Sequence, residues 1–345
     1  MATTMLKFAL AGFAAQVAAE SVVLIAPEPS AEGEPLAVVW IQGANYNAGQ
    51  YTQIAQQFQL EAAKAGYKAW IGIPDFVFST PNPKQIGSHI ESTMDKITSN
   101  GFTGDNWFMA AHSLGGVMTQ DWLHKDSKKD TFKGQILMSS VLLRDRRSID
   151  KDEGTTVYDY TMPTLTIGGS KDGLMRVSRV AESYWHQVSN ISADQASMFP
   201  VEVLEGVAHY QFAGGVPPSF VQKNDLAGDV SDEDARAMVG ATMTSFIDDI
   251  IKNGSSLSST SSGDFFAPFL EAMHQEGSSV MKDPCYQSDI INIETPSCIK
   301  GSPWVEDRAF KTLVEGFYPL TDPQVTLVNN DNFHRASTVY PYHHP

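Results

Sequence analysis

The chain alternates short runs of apolar, often β-branched residues with longer segments in which apolar residues recur at helical spacing. Short apolar runs are typical of strands buried on both faces, and the longer segments are typical of helices that cover a sheet. The alternation predicts a doubly wound α/β domain with a mostly parallel sheet. The predicted strands cover residues 22–26, 36–42, 67–74, 107–111, 134–143, 164–168 and 200–204. The predicted helices cover residues 51–65, 88–99, 114–124, 177–189 and 232–252.

Composition divides the chain into four segments. Residues 1–19 are mostly apolar and end in Val17-Ala18-Ala19, which is typical of a signal peptide, although a short amphipathic helix packed on the core is the alternative. The predicted catalytic domain covers residues 20–253, and no later stretch has the apolar length of a transmembrane helix. Residues 254–263 are rich in Ser and Gly and predict a flexible linker. Residues 264–345 form a C-terminal extension with two short helical patterns and one strand-like run, at 265–276, 304–317 and 324–328.

Charge and cysteine content narrow the classes of protein. The 345 residues carry 24 Lys and Arg against 40 Asp and Glu, a net charge of -16 that would repel nucleic acid and anionic membrane surfaces. The two cysteines, Cys285 and Cys298, could form one disulfide in an oxidising compartment or remain buried thiols in a reducing one. Asn190 and Asn253 each begin an Asn-x-Ser sequon, which fits a secreted glycoprotein.

The sequence from Ala111 to Gly116 reads Ala-His-Ser-Leu-Gly-Gly and lies between a predicted strand and a predicted helix. Ser113 is therefore predicted at a tight strand-to-helix turn, where a nucleophilic hydroxyl is exposed at the carboxyl edge of the sheet. Small residues are needed two positions away on each side, and Ala111 and Gly115 meet that need. The start of the following helix also directs free amides towards the turn, which favours an oxyanion.

Residues 36–252, including the strand-to-helix turn at Ser113 (the nucleophile elbow), resemble the α/β-hydrolase superfamily. The catalytic triad of that superfamily follows the order nucleophile, acid, histidine along the chain. The resemblance implies Ser113 as nucleophile, Asp172 as the acid after the strand at 164–168, and His209 as the base after the strand at 200–204. Asp145 is the alternative acid, because some lipases place it after the preceding strand. His112 is expected to be structural.

The resemblance also implies an oxyanion hole made by the backbone amides of Ala44 and Leu114. The loop before Ala44 begins with Gln42, where family members commonly have His. The chain is also similar to the uncapped branch that includes chlorophyllases and small esterases, although chlorophyllases usually have Arg at the position of Leu114.

About twenty residues separate the strands that flank residue 150, too few for a helical cap, so an open site is expected. Seven aromatic and apolar residues could together line an apolar pocket, although core packing is favoured for any single one of them: Phe76, Phe78, Met175, Phe212, Pro217, Pro218 and Phe220. No cofactor or metal is predicted, because the chain has no phosphate-binding loop and no metal-ligand spacing.

The sequence therefore predicts a secreted or lumenal serine hydrolase that cleaves a small or lipid-like carboxylic ester through an acyl-enzyme intermediate. Two alternatives remain open. One is an acyltransferase that uses the same triad, and the other is a non-catalytic binding protein built on the same fold.

Overall fold

The computed structural model describes residues 21–125, 130–143, 147–149, 156–158, 160–175, 180, 183, 184, 187 and 192–256. Outside these residues lie the predicted signal peptide, the linker beyond residue 256, the C-terminal extension with Cys285 and Cys298, and most of the helix predicted at 177–189. The alternative acid Asp145 and the sequon residue Asn190 also lie outside them.

A seven-stranded, mostly parallel sheet forms the centre of the domain, as the hydrophobic pattern predicts. Its strands lie in the order β1-β3-β2-β4-β5-β8-β9, and only β1 runs antiparallel to its neighbour. A separate antiparallel pair, β6 and β7, occupies part of the connection between β5 and β8. In chain order the strands are β1 Val22–Ile25, β2 Glu34–Ile41, β3 Tyr67–Pro74, β4 Asn106–His112, β5 Phe132–Met138, β6 Arg147–Ile149, β7 Thr156–Tyr158, β8 Thr164–Gly169 and β9 Val201–Leu204.

Helices cover both faces of the main sheet. Those of the described residues are α1 Thr52–Lys64, α2 Ile86–Ser99, α3 Leu114–Lys125, α4 Ala193–Ala196, α5 Ser219–Asn224 and α6 Asp232–Asn253. Helices α1 and α6 pack against each other, and α2 packs against α3. Among the described residues, no helix combines the length and the apolar composition needed to cross a bilayer.

The central strands are buried on both faces, which explains their continuous apolar sequences. Along β2, Leu36, Val38 and Trp40 enter one core cluster, whereas the intervening Ala37 and Val39 enter the other. The first cluster lies under α1 and α6, and the second lies under α2 and α3. Two packed layers of side chains thus hold the sheet rigid, and its carboxyl edge can carry a site on firmly anchored strand ends.

Helix α6 closes the described domain, and local sequence sets both of its ends. The Ser231 hydroxyl accepts a hydrogen bond from the amide of Asp234, and three acidic residues occupy the first turn, where the helix dipole favours negative charge. At the other end, Gly254 adopts a left-handed φ of 71° and terminates the helix. Helix α6 therefore ends at Asn253, three residues before the end of the described chain.

Strand β5 is shorter than the sequence predicts. The apolar run at 134–143 suggested a strand throughout, but β5 ends at Met138. The next residue, Ser139, has a left-handed φ of 46°, which turns the backbone out of the strand, and its amide donates to the carbonyl of Ile167 at 2.7 Å. Residues 141–143 are apolar because they are buried after this turn, and they do not continue the strand.

Candidate active site

Four polar residues follow four neighbouring parallel strands and meet at the carboxyl edge of the sheet. Ser113 directly follows β4, Ser139 directly follows β5, Asp172 follows β8, and His209 follows β9. Parallel strands place all their carboxyl ends at the same edge, where α/β proteins bind ligands. The topology therefore brings together three predicted residues and one that the sequence did not indicate.

Ser113 lies on the strained turn that its sequence predicts. Its φ is 50°, a left-handed conformation that is costly for a residue with a side chain, and it connects β4 directly to α3. Close packing explains the small neighbours, because a Cβ on Gly115 would overlap the carbonyl oxygen of Gln42. A Cβ on Gly43 would lie 2.9 Å from Nδ1 of His112 and 3.3 Å from Cβ of Ser113, so the loop after β2 passes directly beside the serine.

Asp172 and His209 form a buried hydrogen-bonded pair. Nδ1 of His209 lies 3.0 Å from both carboxylate oxygens of Asp172, and the two side chains are 1% and 0% exposed, respectively. The amides of Leu174 and Met175 donate to Oδ1 of Asp172 at 2.8 and 2.7 Å, which fixes the carboxylate. Since the carboxylate accepts a hydrogen bond from Nδ1–H, Nε2 of a neutral imidazole carries no proton and is free to act as a base.

Electrostatics favour a proton on His209. Burial alone would lower its pKa, but the negative charge of Asp172, the hydrogen bond that Asp172 accepts from Nδ1 and the charge of Asp225 outweigh burial and raise the pKa above its ordinary value of 6.5. The imidazole also lies beside the elbow, because its ring centroid is 4.8 Å from that of His112. His209 is thus a basic group adjacent to the residue that precedes Ser113.

Ser139 is the site residue that sequence reasoning missed. Its buried hydroxyl forms hydrogen bonds with Oδ2 of Asp172 and with Nδ1 of His209. Both contacts lie on the side of the imidazole that faces the carboxylate, so Ser139 is not placed to exchange a proton with Nε2. The Ser139 hydroxyl therefore bonds to both members of the pair of Asp172 and His209.

His112 has a structural role, as the sequence analysis expects. Its Nδ1 lies 2.8 Å from the hydroxyl of Tyr51, which also accepts a hydrogen bond from the amide of Gly43 at 2.7 Å. Because an amide can only donate, Tyr51 uses its own proton towards Nδ1 of a neutral imidazole. Burial and the nearby His209 lower the pKa of His112, which keeps it neutral, although a hydrogen bond with the backbone of His209 opposes this shift.

The two predicted oxyanion donors occupy suitable places in the fold. Leu114 is the first residue of α3, and Ala44 lies in the loop after β2, which Gly43 brings against Ser113. Among the described residues, neither of these two amides donates to another protein group. The loop is held by its neighbours, since Nε2 of Gln42 donates to the carbonyl of Tyr46 at 2.6 Å. The amide of Asn45 donates to Thr80 at 3.2 Å, which connects this loop to the chain after β3.

The aromatic residues expected to line an apolar pocket divide between core and surface. Phe212 and Met175 are fully buried, and Phe76 is buried while stacked on His89 with ring centroids 4.5 Å apart. Phe220 is partly buried against the core. Phe78 is the opposite case, because its side chain is 90% exposed on a backbone with a φ of 56°. Most of the predicted lining residues are therefore packing residues of the domain.

The model of the alpha/beta hydrolase family matches residues 37–234, so the chain belongs to that family. No curated protein matches the chain. Among solved structures, it is similar to Est1E from Butyrivibrio proteoclasticus with bound ferulic acid, at 14% identity and a TM-score of 0.42, covering 65% of this chain and 94% of that one. It is also similar to a soluble variant of monoglyceride lipase from Saccharomyces cerevisiae, at 13% identity and a TM-score of 0.40, covering 66% and 90%. A phospholipase/carboxylesterase from Dyadobacter fermentans aligns at 17% identity and a TM-score of 0.37, covering 59% and 93%.

Within the described part of the chain, no three side chains of His, Cys, Asp or Glu are grouped so that they could hold a metal ion.

Proposed function

We propose that this chain is a serine hydrolase that cleaves carboxylic esters through an acyl-enzyme intermediate. The observation that carries the proposal is the buried pair of Asp172 and His209 at the same sheet edge as the strained turn of Ser113. A histidine oriented by a carboxylate, next to a serine on a strand-to-helix elbow, is the arrangement that activates a hydroxyl for acyl transfer.

In this mechanism Nε2 of His209 takes the proton of the Ser113 hydroxyl while Oγ attacks the ester carbonyl carbon. The resulting oxyanion accepts hydrogen bonds from the amides of Ala44 and Leu114. His209 then gives the proton to the leaving alcohol, and the same steps with water release the acid and restore Ser113. Throughout the cycle, Asp172 keeps Nδ1 protonated and stabilises the imidazolium.

The substrate class we propose is an ester with a partly apolar acyl or alcohol group. Support comes from the chain after β3, where Val77 is 55% and Phe78 is 90% exposed. This segment lies beside the oxyanion loop, because Thr80 accepts the hydrogen bond from Asn45. A screen of p-nitrophenyl esters of increasing acyl length tests this proposal, and a constant kcat/KM along the series would contradict it.

Labelling with a fluorophosphonate probe tests the nucleophile directly. Active protein should take up one equivalent at Ser113, and peptide mass mapping should locate the adduct there. A protein that stays unlabelled while it binds esters would instead be a binding protein. Product analysis with water and a competing alcohol then separates hydrolysis from acyl transfer to another acceptor.

We also propose a secreted or lumenal location, with a signal peptide at residues 1–19 and a disulfide between Cys285 and Cys298. The sequon residue Asn253 is exposed at the end of α6, which leaves it accessible for glycosylation. A disulfide that closes a loop of this size would stabilise the extension by roughly 3 kcal/mol. Intact-mass and thiol-labelling measurements on protein from the culture medium test all three features, and two free thiols would contradict the disulfide.

A further inference from the structure

A second buried carboxylate, that of Asp225, lies next to the pair of Asp172 and His209. Asp225 directly follows α5, and its side chain is 6% exposed. The sequence placed this segment, residues 210–230, around the substrate pocket. In the structure its carboxylate is directed inward, towards the loops of the site.

The carboxylate of Asp225 connects the two loops that carry the pair. Its Oδ1 accepts a hydrogen bond from the amide of Gly173 at 2.8 Å, and its Oδ2 accepts one from the amide of Tyr210 at 2.9 Å. Gly173 is the residue after Asp172, and Tyr210 is the residue after His209. One side chain thus fixes the backbone immediately beyond both members of the pair.

The bonding pattern of Asp225 suits an ionised carboxylate. Among the described residues, its three hydrogen-bond partners are all N–H donors, since Oδ1 also accepts from the amide of Leu226 at 2.9 Å. Burial and the charge of Asp172 oppose ionisation, while His209 and the amides of Gly173 and Tyr210 favour it, and the pKa of Asp225 rises to about 7.

Within the described part of the chain, four ionisable groups interact electrostatically with Asp225. Asp172 and His209 shift the pKa of Asp225. Burial is the largest cause of the raised pKa values of Tyr46 and Tyr210, and the charge of Asp225 raises both further. The two tyrosines stay neutral at the pH of turnover. The charge that can change opposite Asp225 is therefore that of His209, which becomes an imidazolium each time Ser113 loses its proton.

We propose that Asp225 is a positioning residue of the triad, whose carboxylate joins the Asp172 loop to the His209 loop and places a second negative charge near the imidazolium. The role in turnover rests on the proposed function. The electrostatic role rests on the contacts of Asp225 alone and can be measured without any substrate.

The test compares Asp225→Asn with Asp229→Asn in the full chain. Both changes remove one negative charge, but Asp229 is largely exposed and pairs with Lys171 at 3.1 Å, so it is a matched control on the same segment. In Asp225→Asn, the His209 imidazole, followed by 15N NMR, should titrate at lower pH than in the wild type. The acidic limb of kcat/KM should move in the same direction, and kcat should fall about tenfold while KM changes little.

Asp229→Asn should leave both titrations where they are in the wild type. An unchanged His209 titration in folded Asp225→Asn would overturn the proposal, as would an equal shift in the control. A lower kcat without any change in the pH at which His209 titrates would show that Asp225 is only structural. That result would also overturn the proposal.

If Asp225→Asn does not fold, the His209 titration of the wild-type protein tests the proposal instead. Two coupled acids titrate in two steps, so the His209 signal should show two inflections, and a single inflection would overturn the proposal.

Failure of the proposed function would give a different result. In that case the wild type would fail to react with fluorophosphonate while the His209 titration still shifts in Asp225→Asn. That result would support the electrostatic role of Asp225 and reject the ester hydrolase.

Discussion

Ser113 and Ser139 occupy equivalent places on neighbouring strands, since each directly follows a parallel strand and each has a left-handed backbone, with φ values of 50° and 46°. The amide of Ser113 donates to the carbonyl of Met138 at 3.0 Å, which ties the two turns together. Their hydroxyls differ in surroundings, because only that of Ser139 bonds to Asp172 and to Nδ1 of His209. The two serines therefore share a backbone conformation but differ in the hydrogen bonds that their hydroxyls make.

This difference predicts opposite results for two alanine variants. Ser113→Ala should lose on the order of 10⁶ in kcat and all fluorophosphonate labelling, because the nucleophile is gone. Ser139→Ala should keep the labelling and lose about 10- to 100-fold in kcat, since it removes one hydrogen bond to a charged group. Steady-state kinetics and intact-mass labelling on the two purified variants test this contrast.

Circular dichroism melting of both variants controls for folding. Retained labelling in Ser113→Ala, together with its loss in Ser139→Ala, would make Ser139 the nucleophile and reject the proposed mechanism.

Replacement of Asp172 by Asn should reduce kcat by about 10⁴-fold, because the amide would favour the wrong tautomer of His209. Asp145→Asn should cost little, since Asp172 already accounts for both carboxylate contacts to Nδ1 of His209. Parallel kinetics on the two variants test this ranking. If Asp145→Asn were the more damaging change, the acid would have to be reassigned to Asp145.

The parts of the site that could be predicted from sequence are those with a local pattern. Ser113 and Asp172 each follow an apolar strand in a short turn rich in glycine or small residues, and that pattern is readable within ten residues. Asp225 and Ser139 have no such pattern, because their partners lie far along the chain. Asp225 is 52 residues from Gly173, and Ser139 is 70 residues from His209, so only the folded sheet brings these groups together.

The same reasoning explains the errors in the fold. Strand β5 was predicted too long because an apolar sequence reports burial and cannot show where a backbone turns at Ser139. Phe212 lies in the core, as is favoured from sequence for any single one of the aromatic residues that could line the pocket.

Tyr51 and Tyr46 provide a matched pair of buried hydroxyls with different surroundings. The hydroxyl of Tyr51 accepts from the amide of Gly43 and contacts Nδ1 of His112, whereas within the described residues the buried hydroxyl of Tyr46 has no hydrogen-bond partner. Tyr51→Phe should therefore lower the free energy of unfolding by about 2 kcal/mol, because it leaves two buried polar groups unpaired. It should also lower kcat more than it raises KM, since Gly43 precedes the proposed oxyanion donor Ala44.

Tyr46→Phe should leave the free energy of unfolding unchanged or raise it, because it removes a buried hydroxyl that makes no hydrogen bond. Urea unfolding of the two variants and the wild type measures the contrast. Equal destabilisation by both changes would show that ring packing, and not the bond to Gly43, sets the contribution of Tyr51.

The pH dependence of turnover should follow His209. Burial lowers its pKa, but the charge of Asp172, the hydrogen bond that Asp172 accepts from Nδ1 and the charge of Asp225 together raise it above 6.5. The neutral base required for attack therefore forms only as the pH rises past that raised value. The acidic limb of kcat/KM should thus have its midpoint above 6.5, and His112 should not contribute, since its pKa is lowered.

The contribution of His209 to stability should have the opposite pH dependence. A raised pKa in the folded state stabilises the protein below the unfolded value of 6.5, and this stabilisation is lost as the pH rises through the folded pKa. Activity should therefore rise over the same pH interval in which the contribution of His209 to the free energy of unfolding disappears. Paired profiles of kcat/KM and of urea unfolding against pH measure both quantities, and an acidic limb centred below 6.5 would contradict the stabilisation of the imidazolium by Asp172.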